Sequence, residues 1–301
     1  MLDHNSDARF TPNPYPALEK LVQRTQRRHR LEQRHRLERR QRFVANSTGN
    51  AGVGKAEHLC DTSPMTMFSY HLANTTVGTT LRALASPPRA SHVHGLVHAE
   101  CMASMTLGAC VVSPSRMKLR ELAVFAKWKD NDAIDKFLTR TSMGKILSEG
   151  WHVRLAFMRR WGHVDELDGL PESVGEQNPD APVVAVTIAR MRLLQVPRFV
   201  RWGKPVEKLV RDHPGITLAT AAIRLPRTVC TFSVWKTQRE MIEMVHGTSS
   251  IPKPERHAMA MKERNRKDFH RQFTTLRFKP FSEHGTWKGQ SDIVPNLEPR
   301  S

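Results

Sequence analysis

Histidines and arginines are the first residues of this chain that could do chemistry. His257 stands at the start of a polar helical stretch, beside Glu255 and Arg256. An imidazole on a helix that faces a pocket can ligate a metal centre; at a helix start it can equally be a surface residue. His270 lies thirteen residues on and is the fallback ligand. His92, His94 and His98 share parity, so a strand would put three imidazoles on one face, as a divalent metal site needs. That segment follows Pro87 and Pro88, however, and reads equally as loop. Arg224 and Arg277 fall near strand ends, where a guanidinium can take a carboxylate of a bound molecule or stay exposed. Trp128, Trp235, Phe278 and Trp287 are candidates to line an apolar pocket for a flat substrate, against the commoner role of plain core. No catalytic residue is assigned: no Ser/His/Asp set and no pair of carboxylates can be assembled from spacing. Gly49-Asn50-Ala51-Gly52-Val53-Gly54-Lys55-Ala56 nearly matches a phosphate-binding loop, but Ala56 stands where magnesium needs a hydroxyl, and no apolar strand precedes it.

The elements that must carry these residues follow from periodicity. Thr228 to Trp235 alternates with period two and is β-branched and aromatic, a strand signature. A helix with Met241, Met244 and Val245 at i, i+3, i+4 follows, then a break at Pro252 and Pro254, a polar helix with His257 and Met261, and a strand from Phe273 to Phe278. The same plan occurs earlier. Leu122 to Lys129 has Phe, Trp and Lys at matching places, and Trp128, Ile134, Phe137 and Leu138 each precede Trp235, Met241, Met244 and Val245 by 107 positions. One constant offset through a strand and a helix points to an internal duplication. Further strands are expected at 65–72, 95–105, 119–128, 155–161, 183–189 and 216–224. Helices are expected at 75–84, 130–140, 142–151 and 198–211, the last with a kink at Pro205. Each half thus reads β-α-β-β-α-β, the ferredoxin-like order.

Composition bounds the rest. The 301 residues are 39% hydrophobic, enough for one large domain or two small ones. Cys60, Cys101, Cys110 and Cys230 form no C-x-x-C pair, which fits a reducing, cytoplasmic compartment. The net charge is +18, and Lys20 to Arg42 holds ten Lys or Arg against Glu32 and Glu38. This arm suits an anionic membrane surface, with peripheral association. Nucleic acid is the weaker partner, because no aromatic residues interleave the basic run. A solvated extension explains the arm as well. The expected organisation is a flexible basic extension over 1–62, a first unit over 63–170, a Pro/Gly-rich linker over 171–182 and a second unit over 183–292.

Taken in order, Phe232-Ser233-Val234-Trp235-Lys236, His257-Ala258 opening a helix, Arg277-Phe278 and Gly285-Thr286-Trp287 resemble the spheroidene monooxygenase family of carotenoid-oxidising enzymes. The resemblance spans about residues 65–290 and is clear in the second half. It implies an α+β fold of two tandem ferredoxin-like units, related to the dimeric α/β-barrel monooxygenases, with the sheets packed face to face around an apolar chamber. It implies oxygen insertion into a lipophilic molecule such as a carotenoid or terpenoid. Molecular oxygen would be co-substrate, haem the cofactor, and an external donor such as a ferredoxin the electron source, since no nicotinamide or flavin motif is present. His257 then becomes the candidate iron ligand, with Arg224 and Arg277 for the haem propionates. Cys101-Met102-Ala103-Ser104-Met105-Thr106-Leu107-Gly108 departs from the family, which has an aromatic-rich strand and a Gly-rich turn there, so the substrate need not be a carotenoid. A non-catalytic binding protein on the same scaffold, and a nucleic-acid or membrane-surface protein working through the arm, are the alternatives.

Overall fold

The computed structural model describes residues 66–109 and 116–297. The strands and helices among them are β1 (Met67–Asn74), α1 (Val77–Ala85), β2 (Leu96–Met105), β3 (Met117–Trp128), α2 (Asn131–Arg140), α3 (Ser142–Ser148) and β4 (Trp151–His163), then β5 (Val183–Met191), α4 (Val196–Arg211), β6 (Ile216–Arg224), β7 (Thr228–Trp235), α5 (Gln238–His246), α6 (Arg256–Arg266) and β8 (His270–His284). Pro205 lies inside α4. Residues 171–182, where linker composition was read, form no helix or strand. The basic run at 20–42 and the glycine-rich stretch at 49–56 lie outside the described residues.

The eight strands close into an antiparallel barrel in the order β1-β3-β2-β6-β7-β5-β8-β4. Each half contributes four neighbouring strands in matching order, β4-β1-β3-β2 and β8-β5-β7-β6. The expected face-to-face packing of two separate sheets is corrected here: the edges of the halves are hydrogen-bonded to one another. One seam is short, from Ala103↔Ile223 to Met105↔Ala221. The other runs from His152↔His284 to His163↔Phe273. The long seam pairs most of β4 and β8, while the short one leaves the first part of β2 and of β6 without a ladder partner on that side.

The interior overturns the expected chamber between the sheets. Phe68, Tyr70, Phe125, Trp151, Phe232 and Phe278 point inward and are at most 1% exposed. Their rings fill the barrel: Tyr70 stacks on Phe232 with centroids 3.8 Å apart, and Phe68 meets Phe278 at 4.9 Å. Large aromatics on the inward face of facing strands leave a packed core, not a pore.

The outer faces of both halves are covered by helices, so most strands are buried on two sides. Trp128 and Trp235 occupy equivalent places on the outer faces of β3 and β7. Each indole donates to a serine hydroxyl, Trp128 to Ser69 at 2.8 Å and Trp235 to Ser233 at 2.9 Å. Trp128 packs with Ile134, Phe137 and Leu138, and Trp235 with Met241 and Met244, so the 107-residue offset is a spatial correspondence. Helix starts are capped as their residue types require: Asp130 accepts from the Ala133 amide at 2.8 Å and Thr237 from the Glu240 amide at 3.2 Å.

Some boundaries differ from expectation. The helix expected to reach Trp151 stops at Ser148, and β4 begins at Trp151 rather than Leu155. Gly150 makes the switch because its backbone passes the Leu72 carbonyl; a Cβ there would sit 2.2 Å from that oxygen. The last strand runs from His270, not Phe273, and continues to His284.

Candidate functional site

The two outer faces differ in one respect that makes a site. In the first half, Leu122, Val124 and Trp128 meet α2 and the space is filled. In the second half the sheet presents Ala185, Thr187 and Ala189 on β5, Thr231 and Ser233 on β7, and Thr275 on β8. These side chains are too short to reach the helices above. A cavity of about 470 Å³ remains between this floor and a roof built from α4, α5 and α6. That is within the usual size range of small-molecule sites, roughly 300–1,000 Å³. Phe199, Trp202, Met244 and Met261 are among the wall residues.

His257 lies on the wall, near the start of α6. Its Nδ1 is 3.0 Å from the Val245 carbonyl oxygen. A carbonyl only accepts, so Nδ1 carries the proton and donates. In the neutral ring Nε2 is then left with its lone pair. Burial lowers the His257 pKa, against the Val245 bond and with a smaller push from His246, so the ring is neutral at pH 7. The α5–α6 connection positions this pair. Gly247 ends α5 at φ 75°, the left-handed region, and a Cβ there would lie 3.1 Å from the Glu255 backbone.

His270, at the start of β8, is a second wall imidazole. Its Nδ1 donates to Asp268 at 2.9 Å, and its buried Nε2 has no hydrogen-bond partner. Burial lowers its pKa despite Asp268. A carboxylate on one ring nitrogen and a bare second nitrogen is the arrangement found behind many metal-bound histidines.

Arg277 also lines the cavity. Its guanidinium is 4.3 Å from the centre of the Trp161 ring, and Arg159 lies 4.4 Å from the same ring. Arg277 is 9% exposed and makes no ion pair among the described residues. Burial, and then the charge of Arg159, bring its pKa down to about 10. Arg264 adds a second wall cation, 4.0 Å over Phe273 and 3.9 Å from the Asp268 carboxylate. The cavity is therefore mostly apolar, with three imidazoles (His246, His257 and His270), two guanidiniums and the Glu207 carboxylate, which is paired with Arg116 at 2.7 Å.

Of the residues named from sequence, His257, His270, Arg277 and Trp235 meet at this cavity. Trp128, Phe278, Trp287 and Arg224 do not, and each has a physical reason. Trp128 is core in the filled half. Phe278 points into the barrel, and Trp287 packs with that same interior core. Arg224 is held 2.7 Å from Glu100. Glu100 is fully buried and also paired with Arg190 and His98. Burial works against its charge, but the His98 bond and the charges of Arg190 and Arg224 hold it down at about 2. The three-histidine metal face does not form. His92 and His94 sit exposed in the irregular chain before β2, and only His98 is on the strand. Among the described residues, His98, Glu100 and Glu166 are the group whose ligand atoms come close enough for an ion. Two arginines already neutralise Glu100, which disfavours a cation there. Arg264, Trp161 and the small-residue floor escaped the sequence reading. The floor had a visible signal, since alternate positions of β5 are Ala185, Thr187 and Ala189.

No family model matches the chain, and no curated protein matches it. Solved structures give slight likenesses. A candidate monooxygenase from Fusobacterium nucleatum subsp. nucleatum is 9% identical over 74% of this chain and 96% of that one, with a TM-score of 0.32. Another from Lactobacillus acidophilus is 9% identical over 73% and 96%, with a TM-score of 0.30. A ferredoxin-fold protein related to antibiotic biosynthesis monooxygenases, from Listeria monocytogenes, is 10% identical over 73% and 98%, at 0.26. Likenesses this slight assign neither a family nor an activity.

Proposed function

We propose that this chain is a haem-dependent monooxygenase of a hydrophobic small molecule, built from two duplicated ferredoxin-like units of which the second holds the site. The observation that carries the proposal is His257. It is a neutral imidazole on the wall of an apolar cavity, its Nδ1 fixed by the Val245 carbonyl and its Nε2 free to ligate. His270 is the alternative ligand by the same reasoning. The donor set fits the group: a planar apolar macrocycle with two carboxylates matches an apolar cavity with Arg277 and Arg264 on its wall. Haem would supply the oxygen chemistry. The chain's own residues bind and orient. Met244, Met261, Phe199 and Trp202 exclude water, the Val245 carbonyl keeps the proton on Nδ1, and Arg277 balances anionic charge. A terpenoid or carotenoid-like molecule is the first substrate class to try, and an external donor such as a ferredoxin would deliver electrons.

The test is the visible spectrum of the full chain produced with ample haem. A haem band that is lost in His257→Ala and kept in His270→Ala, both with unchanged circular dichroism, supports the assignment. Loss only in His270→Ala moves the ligand to that residue. Absence of any band in the unmodified chain removes the haem mechanism and leaves a binding protein using the same cavity.

A further inference from the structure

We infer that the barrel rim carrying Leu193, Leu194 and Leu225 is a docking surface for a bilayer containing anionic phospholipid, with the leucines inserting between headgroups. The three side chains are 46%, 94% and 65% exposed, and apolar tips gathered at one edge, unlike ones scattered singly, mark an interaction surface. They come from two segments that pairing brings together. Leu193 and Leu194 lie just after β5, and Leu225 lies in the turn between β6 and β7. Arg190 is in register with Thr228, and the Met191 amide donates to the Arg227 carbonyl at 2.8 Å, so both segments leave the sheet at one edge.

Cations gather around them. Arg192 and Lys267 flank this edge through the Arg192 amide, which donates to Phe269, and Arg271 and Arg227 adjoin the same strand ends. None of these four cations has an ion pair among the described residues. The neighbouring carboxylates already have partners: Glu263 has Arg198 and Arg266, Asp268 has His270 and Arg264, Glu166 has Arg190, and Asp165 has His163 and Gln272. Apolar tips inside a ring of unmatched Arg and Lys match a lipid interface with negative headgroups, where acyl chains take the leucines and phosphates take the cations.

The same segment is tied to the cavity. Arg192 bonds the carbonyls of Phe269 and His270, through its amide and its Nε at 2.9 Å each, and both those residues line the cavity. Docking at this rim would set the cavity wall against the bilayer, the source of a lipophilic molecule. The surface itself does not depend on haem or on oxygen chemistry, so its test stands apart from the spectrum.

The experiment is sedimentation of the full chain with vesicles of equal parts phosphatidylcholine and phosphatidylserine, and with phosphatidylcholine alone. Expected is binding to the mixed vesicles that weakens about tenfold or more when Leu193, Leu194 and Leu225 are all changed to serine. Those positions are exposed, so circular dichroism should not change. The basic run at 20–42 could bind the same lipid, and a full chain with its arginines changed to glutamine controls for it. That variant should keep the dependence on the three leucines. Depth is read with Leu194→Trp, whose emission should shift to the blue and be quenched by brominated acyl chains beyond the unmodified protein's response. Serine variants that sediment like the parent, or a tryptophan at 194 that stays in water, would overturn the proposal. So would capture of an acidic protein through the leucines with no vesicle response.

Discussion

Arg277 holds a charge on the cavity wall and makes no ion pair among the described residues, and Trp161 recovers only part of the lost hydration. Arg277→Met keeps the stem over the indole and removes the buried charge. Chemical denaturation should show the variant more stable by about 1 kcal/mol. Isothermal titration with an anionic ligand of the cavity, free haem included, should show at least about tenfold weaker binding, because a charge-assisted pair is lost. A destabilised variant with unchanged binding would mean that Arg277 is structural. Legibility at this scale followed locality. His257 and Arg277 were singled out from residue type and position in an element, and both stand on the cavity wall. Arg224 was not, because the carboxylate that claims it is 124 residues away, on a strand that becomes its neighbour only when the barrel closes.

Elements explain why the cavity exists in one half only. The faces of β5 and β7 under α4–α6 carry alanine, threonine and serine where the first half carries larger side chains against α2. Filling the gap should therefore be tolerated. Ala185→Leu with Thr187→Leu should fold with stability within about 1 kcal/mol of the parent, since the new methylenes enter free space. It should lose haem or other cavity ligands by absorbance or calorimetry. Phe232→Ala, on the opposite face of the same sheet, should cost about 3–5 kcal/mol in a denaturant titration. If the paired leucine variant were as damaged as Phe232→Ala, the cavity would be an unstable gap and not a site. The sequence announced the strands through their alternation, yet alternation marks two faces without saying what covers each. With both faces buried, the inward and outward sets look equally apolar, and the chamber was placed on the wrong side of the sheet. Side-chain size was the better guide, since the aromatic set fills the barrel and the small set lines the cavity.

At the scale of the whole molecule, the matching places of Trp128 and Trp235 were legible because 107 residues separate them and the offset holds through the following helix. The seams were not, since β2–β6 and β4–β8 pairing has no local signature. One seam creates an acid-sensitive feature. His71, His152 and His284 sit in register on β1, β4 and β8, with ring centroids 5.0 and 4.7 Å apart. Burial, and then the neighbouring imidazoles and Arg154, push His71 well below its ordinary value; burial, His284 and Arg154 bring His152 to about 3, against Asp135. An unfolded histidine takes its proton near pH 6.5, so as pH falls below that value the unfolded chain gains protons that the folded chain refuses. Stability from these groups is complete above about pH 7 and drains away as pH falls towards 3, by up to about 1.4 kcal/mol per pH unit for each histidine. Glu100, held at about 2, contributes an acid loss too, but one that begins only below the ordinary carboxylate value of 4.5. The interval from pH 6.5 to 5 therefore isolates the histidines. Urea midpoints should fall steadily across it, and His152→Gln should make the slope shallower by roughly one proton. A flat midpoint across that interval would mean the imidazoles are hydrated or charged in the folded state, and that the β4–β8 seam is not closed over them.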